Sequence, residues 1–220
     1  MVGVVVAMDG PSGSGKSSTA RGVATRLGLR YLDTGAMYRA MTWWMLQHGI
    51  DVEDPAAVAA RADQPVIVAG TDPQAPTITV DGTDVAGPIR GPEVTAAVSA
   101  VSAVPAVRER LVHEQQAVIG PGDIVVEGRD IGTVVAPDAA VKIFLTADPG
   151  ARAERRAAER AGADVTATRQ DLIRRDTIDS GRVTSPLAMA VDAHHLDTTP
   201  YTLEEVVDEV VALVHASRPA

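Results

Sequence analysis

Hydrophobic and polar positions change period several times along the chain, and each change predicts an element. Val4-Val5-Val6-Ala7-Met8 is a short apolar run, the form of a buried parallel strand. From Ser18 to Leu27 the spacing lengthens: Ala20, Val23, Ala24 and Leu27 recur on one helical face, and Gly28 stops it. Arg30-Tyr31-Leu32 predicts a second short strand. Asp33 or Thr34 then suits the N-cap of a helix to about His48, with Met41, Trp44 and Met45 as its apolar stripe and Gly49 as its stop. Trp43 and Trp44 read as packing residues. Pro55 to Ala62 reads as a short helix. Pro65–Ala69 and Thr77–Val80 are β-rich, and Asp81-Gly82 is a turn signal before Thr83-Asp84-Val85. These predict a small antiparallel sheet, a lobe of its own inside a parallel α/β pattern. Helical runs follow at Pro92–Ala103 and Pro105–Ile119, and Pro105 suits a first helical turn. Asp123–Glu127 and Val141–Leu145 are two more buried-type strands. Asp148-Pro149 opens a helix carrying Arg152, Arg155, Arg156 and Arg160, and a second helix spans about Thr166 to Asp179. Thr202-Leu203-Glu204-Glu205 is a capping-box pattern, and Val206, Val210, Leu213 and Val214 make the stripe of a terminal helix. The fold class is α/β: a central parallel sheet flanked by helices, with an inserted antiparallel β lobe.

Between the first strand and the first helix lies Gly10-Pro11-Ser12-Gly13-Ser14-Gly15-Lys16-Ser17, which fits G-x-x-x-x-G-K-[ST] without a mismatch. Glycines let the backbone wrap around phosphate oxygens with successive N–H groups turned inward. The helix that opens at Lys16 adds the partial positive charge of its N-terminus. Lys16 would reach the β- and γ-phosphates, and the Ser17 hydroxyl would ligate Mg²⁺. The candidate ATP-binding set is therefore Gly10, Pro11, Ser12, Gly13, Ser14, Gly15, Lys16, Ser17 and Ser18. In open α/β sheets, ligands sit at the carboxyl ends of the strands. That rule draws the P-loop, Glu127 to Asp130 and the residues after Leu145 to one crevice.

Composition narrows the function. Net charge is −9, which argues against a nucleic-acid polymer as partner. With no cysteine there is no disulfide and no thiolate metal site, which agrees with a cytoplasmic protein. The first apolar run is too short to span a membrane. His194-His195 has no third ligand nearby, and neighbours on a strand face opposite ways, so no metal site is predicted there. A hydrophobic fraction of 45% suffices for one core, and nothing signals an interface, so a monomer is expected. Basic residues comprise 18 Arg and only Lys16 and Lys142, and eight of the arginines fall between Arg152 and Arg182. That cluster could receive an anion. Glu154 and Glu159 are close enough that some of these arginines could equally solvate a helix face.

Three further segments carry a resemblance. Asp33-Thr34-Gly35-Ala36-Met37-Tyr38-Arg39, Gly128-Arg129-Asp130-Ile131-Gly132-Thr133-Val134-Val135 and Pro137-Asp138-Ala139-Ala140-Val141-Lys142-Ile143-Phe144-Leu145 resemble bacterial cytidylate kinase, in register from the P-loop to about Leu187. The resemblance implies a P-loop nucleoside monophosphate kinase fold in one domain. Its core would be 1–32, 120–147 and 183–220, its monophosphate-binding region 33–119 with the inserted lobe at about 63–90, and its lid 148–182. It further implies that Thr34, Arg39, Arg129 and Arg182 hold the acceptor's phosphate end, that Ser99, Arg108 and Asp130 read cytosine, and that Arg175 and Asp179 hold the sugar. Thr34 stands where the family usually has Ser, which keeps the hydroxyl. Glu127 stands where many members have Asp, so a carboxylate remains near Mg²⁺ but reaches one carbon further.

The chemistry agrees with that implication. A carboxylate such as that of Asp130 can accept from the N4 amine of cytosine, and Arg108 can donate to O2 or N3. Uracil would set O4 against the carboxylate instead. A structural ion pair with Arg129 or a neighbour is the other reading of Asp130. In-line transfer from ATP to CMP or dCMP needs no general base, because the attacking phosphate oxygen is already anionic. It needs alignment and positive charge. The candidate catalytic cations are Lys16, Arg129, Arg156 and Arg182, and the lid would add Arg152, Arg155 and Arg156 to the ATP site. Ser17 and Glu127 are the candidate Mg²⁺ residues. Kinases for UMP, dTMP, AMP or a non-nucleotide are alternatives in the same class. A P-loop switch is the alternative from another class, although no Asn-Lys-x-Asp guanine-reading motif occurs.

Overall fold

The structure is a computed structural model and describes residues 3–158, 164–182 and 185–217. In chain order the elements are β1 (Val5–Asp9), α1 (Lys16–Leu27), β2 (Arg30–Asp33), α2 (Thr34–Gln47), α3 (Pro55–Ala59), β3 (Ile67–Ala69), β4 (Ile78–Val80), β5 (Thr83–Asp84), α4 (Pro92–Ala103), α5 (Pro105–Ile119), β6 (Ile124–Glu127), β7 (Val141–Thr146), α6 (Pro149–Ala158), α7 (Val165–Gly181), β8 (His194–Asp197) and α8 (Leu203–Ser217). A 3₁₀ turn covers Pro88–Arg90, and a π-type turn covers Ile131–Val135. Arg160 and Glu159, expected on the first lid helix, lie outside the described residues.

Five strands form one parallel sheet in the order β2-β6-β1-β7-β8. The period-2 alternation of each strand divides its side chains between two cores. Ala7, Leu32, Ile124 and Val126 face the core made with α2, α4 and α5. Val6, Met8, Tyr31 and Val125 face the opposite core, made with α1 and α8. This is why the central strands read as unbroken apolar runs. Asp33 caps α2 through Oδ1, which accepts from Ala36 N–H at 2.9 Å. Among the described residues no helix is long and apolar enough to cross a membrane.

Two expectations change. The antiparallel sheet β3-β4-β5 is present, but it has no core of its own. Ile67, Ile78, Val80 and Val85 belong to the same buried cluster as Met41 and Trp44 of α2. Asp81, at the β4–β5 turn, ties the sheet down by accepting from Trp44 Nε1 at 2.9 Å and from Val66 N–H at 2.8 Å. Its three strands are too small to bury a separate interior. The second change is β8, a fifth strand beside the four that the apolar runs predict. His194-His195-Leu196-Asp197 has no apolar run, because an edge strand that pairs only with β7 needs little beyond its backbone.

The P-loop leaves β1 through Gly10 at φ 144, hard against β7: a Cβ there would come within 2.0 Å of the Leu145 carbonyl oxygen. Backbone cannot yield as a side-chain tip can. Gly10→Ala is therefore expected to lower the unfolding free energy by about 2–4 kcal/mol. The check is an earlier urea midpoint at an unchanged m-value.

Candidate active site

A cleft of about 560 Å³ opens at the carboxyl edge of the sheet. One end is the P-loop. Gly13 and Gly15 take φ of 79° and 88°, which turns the backbone around the loop. The first turn of α1 has no acidic residue and no side-chain cap, so its N–H groups remain open for an anion. Lys16 curls over the loop. Its Nζ donates to Pro11 O at 2.6 Å and to Ser14 Oγ at 3.4 Å. Burial and the nearby Arg129 guanidinium pull the lysine below its ordinary pKa, while Glu127 and Asp9 oppose that shift.

Glu127 closes β6 directly opposite. One carboxylate oxygen accepts from Ser17 Oγ at 2.9 Å, and the other accepts from the buried Tyr31 hydroxyl. Thr34 Oγ1 donates to its backbone carbonyl at 2.7 Å. Gly128 makes room for this approach, because a Cβ there would meet Thr34 Oγ1 at 2.7 Å. Burial, and then the charge of Asp33, push the Glu127 carboxyl up. Among the described residues no group of three or more His, Cys, Asp or Glu could hold a metal by itself. A hydroxyl and one carboxylate side by side still suit a hard cation that takes its remaining oxygens from phosphate and water.

The other end is rich in arginine. Arg129 Nε donates to Asp179 Oδ2 at 3.0 Å, and Arg182 donates to Asp179 Oδ1 and to Ser102 Oγ, the latter at 2.8 Å. Arg39 Nη1 is held by Ile89 O at 3.2 Å and Thr95 Oγ1 at 3.1 Å. Burial and the charges of Arg175 and Arg156 draw Arg39 below its ordinary pKa. Burial and Arg129 do the same to Arg175. Asp179 and Asp171 oppose the shift at Arg175, and Asp33 opposes it at Arg39. Arg108, Arg175 and Arg182 also each leave a buried Nε without a partner.

Deeper in, Arg108 and Asp130 form a buried ion pair with side chains 3% and 6% exposed. Arg108 also donates to Ser102 O at 3.2 Å and lies 5.4 Å from the centre of the Tyr38 ring. Ser99 is buried on the same wall. Asp130 is thus in an ion pair, as one reading of it held, but with Arg108; Arg129 is taken by Asp179.

The cleft brings together Ser12 to Ser18, Thr34, Arg39, Ser99, Arg108, Glu127, Arg129, Asp130, Arg155, Arg156, Arg175, Asp179 and Arg182. Arg155 lines it while donating to Thr198 O and Oγ1, both at 2.9 Å. Gly10 and Pro11, the first residues of the loop, do not line the cleft. Arg152 does not reach the cleft either. It is buried behind the P-loop, where Nη1 donates to Ser12 O at 3.1 Å and to Asp176 at 2.5 Å, so it is not a free lid cation.

A family model described as cytidylate kinase matches residues 6–216. The chain belongs to the cytidylate kinase family. It is 63% identical over 217 residues to the cytidylate kinase of Streptomyces coelicolor, covering 98% of this chain and 94% of that protein. It is 61% identical over 219 residues to that of Streptomyces avermitilis, covering 99% and 95%. A crystal structure of a Thermus thermophilus protein superposes with a TM-score of 0.50 at 19% identity, covering 100% of both chains, and speaks for the fold alone.

Several groups in this cytidylate kinase family site escaped the sequence analysis. Tyr31 read only as a strand residue. Thr198, Tyr201, Leu203 and Val206 form a wall beside Arg155, yet they come from the loop and helix after β8. Asp9 had a usable signal: a charge directly between a buried apolar run and the P-loop. It is 5% exposed and receives Ile131 N–H and Gly132 N–H at 2.8 Å each, which fixes the turn that follows Arg129 and Asp130.

Burial raises the Asp9 carboxyl from 3.8 to about 6, against the pull of those two N–H groups. The folded state therefore holds a proton that the unfolded chain releases earlier, and the folded state loses ground as pH rises from 3.8 through about 6. Asn at this position does not titrate. The stability of the wild type minus that of Asp9→Asn is expected to fall by up to about 3 kcal/mol across that window. Urea unfolding of both proteins at pH 3.5 to 7.5 checks the sign.

Proposed function

We propose that this chain transfers the γ-phosphoryl group of ATP to CMP and dCMP, by in-line attack of the acceptor's phosphate oxygen. The observation that carries the reading is one continuous cleft with a P-loop at one end, crowded arginines in the middle and a buried Arg108–Asp130 pair beyond them. Phosphate is the group that both ends would share.

Lys16, Arg129, Arg156 and Arg182 are the cations we assign to the transferring phosphoryl, with Thr34 and Arg39 holding the acceptor phosphate. Arg175 and Asp179 are assigned to the sugar. Positive charge held in advance costs no reorganisation when charge shifts in the transition state. Arg182, whose buried Nε has no partner, keeps a donor that an incoming phosphate can satisfy. Ser17 and Glu127 are the residues that would hold Mg²⁺, and Tyr31 would steady the carboxylate. The metal, when bound, supplies charge neutralisation on the β- and γ-phosphate oxygens. The wall of Thr198, Tyr201, Leu203 and Val206 offers an apolar face to the purine of ATP, with Arg155 beside it. Closure over both substrates keeps water, the competing acceptor, from the γ-phosphate.

For the base, cytosine fits the Arg108–Asp130 pair: the carboxylate accepts from N4 and the guanidinium donates to O2 or N3. The pair is made before any ligand arrives, so each partner is already desolvated and aimed. A bidentate contact of this kind discriminates by about 1–3 kcal/mol. Cytoplasmic location follows from the substrates assigned and is part of the same proposal.

The test is ADP release with Mg·ATP and each of CMP, dCMP, UMP, dTMP, AMP and GMP, beside a control without acceptor. Turnover with CMP and dCMP is expected to lead. Asp130→Asn is expected to narrow the CMP-over-UMP preference by about 5- to 150-fold, and Arg182→Ala to lower kcat by about 100-fold or more. Another monophosphate leading the series overturns the base assignment. ADP release without any acceptor overturns the transferase reading in favour of a nucleotide hydrolase.

A further inference from the structure

Helix α7 points side chains at two different places. Arg175 and Asp179, four residues apart on one face, are buried at the arginine-rich end of the cleft. Asp176 is one residue further round and faces the back of the P-loop. Its Oδ1 accepts from Ser12 N–H at 3.4 Å, and its Oδ2 accepts from Arg152 Nη1 at 2.5 Å. The same Arg152 nitrogen donates to Ser12 O at 3.1 Å. Arg152 is 6% exposed, and its stem packs on the loop so closely that a Cβ on Gly13 would sit 3.1 Å from Arg152 Cβ. Neither Asp176 nor Arg152 lines the cleft. Both backbone polar groups of Ser12 are thus held by one ion pair whose halves come from α6 and α7.

A pair that served only to solvate two helix faces would stand in water and touch no loop. This pair is largely desolvated, so its geometry matters: removing either half leaves the other charge poorly compensated. On the far side, Asp179 anchors Arg129 and Arg182, so the same helix also sets the position of the acceptor-side arginines. Arg175 and Arg182 line the cleft and keep buried Nε groups without a partner, donors through which a ligand can make differential contacts with this helix.

We propose that Asp176, acting through Arg152, is a positioning residue that couples the two substrate sites. A nucleoside monophosphate that fixes Arg175 and Asp179 fixes α7, and α7 fixes Ser12 and the P-loop around the triphosphate. By linkage the effect runs equally from donor to acceptor. This rests on the donor and acceptor assignment made above.

The test is calorimetric binding of CMP to the full-length wild type, Asp176→Asn and Asp176→Glu, each with and without a non-hydrolysable ATP analogue and Mg²⁺. In the wild type the analogue is expected to tighten CMP binding by about fivefold or more. In Asp176→Asn that ratio is expected to fall towards one, while binding of CMP alone stays within about twofold, because two-site coupling and single-site affinity are separate quantities. Asp176→Glu keeps the charge and is expected to restore part of the ratio. A wild-type ratio of one, or an undiminished ratio in Asp176→Asn, overturns the proposal. Thermal unfolding establishes that each variant is folded. If Asp176→Asn does not fold, Arg152→Met keeps an apolar stem and removes the nitrogen that bridges Asp176 to Ser12 O, and an unchanged ratio there overturns the proposal too. A wild type that binds the analogue but no CMP overturns the acceptor assignment, a result distinct from coupling that is absent between two functional sites.

Discussion

Asp179 holds two arginines from different parts of the chain in one buried place. Arg129 comes from the turn after β6, Arg182 from the end of α7, and each donates to its own oxygen of the carboxylate. Without that carboxylate the two guanidiniums would repel across a poorly solvated cleft already containing Arg39 and Arg175. Burial, and after it the neighbouring guanidiniums, draws Arg39, Arg175 and Arg182 below their ordinary pKa, while Asp179 opposes that shift at Arg175 and Arg182. The rest of the site follows from this constraint. Arg39, Arg129, Arg175 and Arg182 meet there because elements from separate parts of the chain bring them to one place.

The parallel sheet supplies the framework. β1, β6 and β7 end side by side, so the P-loop, Glu127 and the Arg129–Asp130 turn emerge at one edge. Asp9 binds the first of these to the last by accepting two N–H groups of the Ile131–Val135 turn. Glu127 binds the P-loop to β2 through Ser17 and Tyr31. Each carboxylate therefore does local work with a long-range result: segments more than a hundred residues apart are held within hydrogen-bond distance of each other.

Helices α6 and α7 join this framework through charge more than through apolar burial. α6 buries only Ala153 and Arg152, and α7 buries Leu172, Arg175 and Asp179. Elements attached by a few ion pairs can shift when a ligand offers better partners, whereas elements packed into either sheet core cannot. That difference separates the elements packed into the two sheet cores from those held mainly by ion pairs.

Much of this was determined by the sequence alone. The P-loop is a local backbone device, so Gly10 to Ser17 could be read directly. The buried strands announced themselves as apolar runs, and Asp33 or Thr34 marked the start of α2. The small sheet was visible through its turn chemistry at Asp81-Gly82. Tertiary structure decided what depends on non-local packing. β8 is an edge strand stabilised by backbone pairing, which leaves no hydrophobic pattern. The small sheet joins the core of α2 because its own strands are too short to enclose one. Arg152 and Arg155 sit three residues apart on α6, and no local rule distinguishes them; only the approach of Asp176 turns Arg152 to the back of the P-loop while Arg155 faces the cleft. Which carboxylate pairs with which arginine is likewise absent from the sequence. It is settled by charges from distant segments meeting where water is scarce, so that each must find a partner or remain uncompensated.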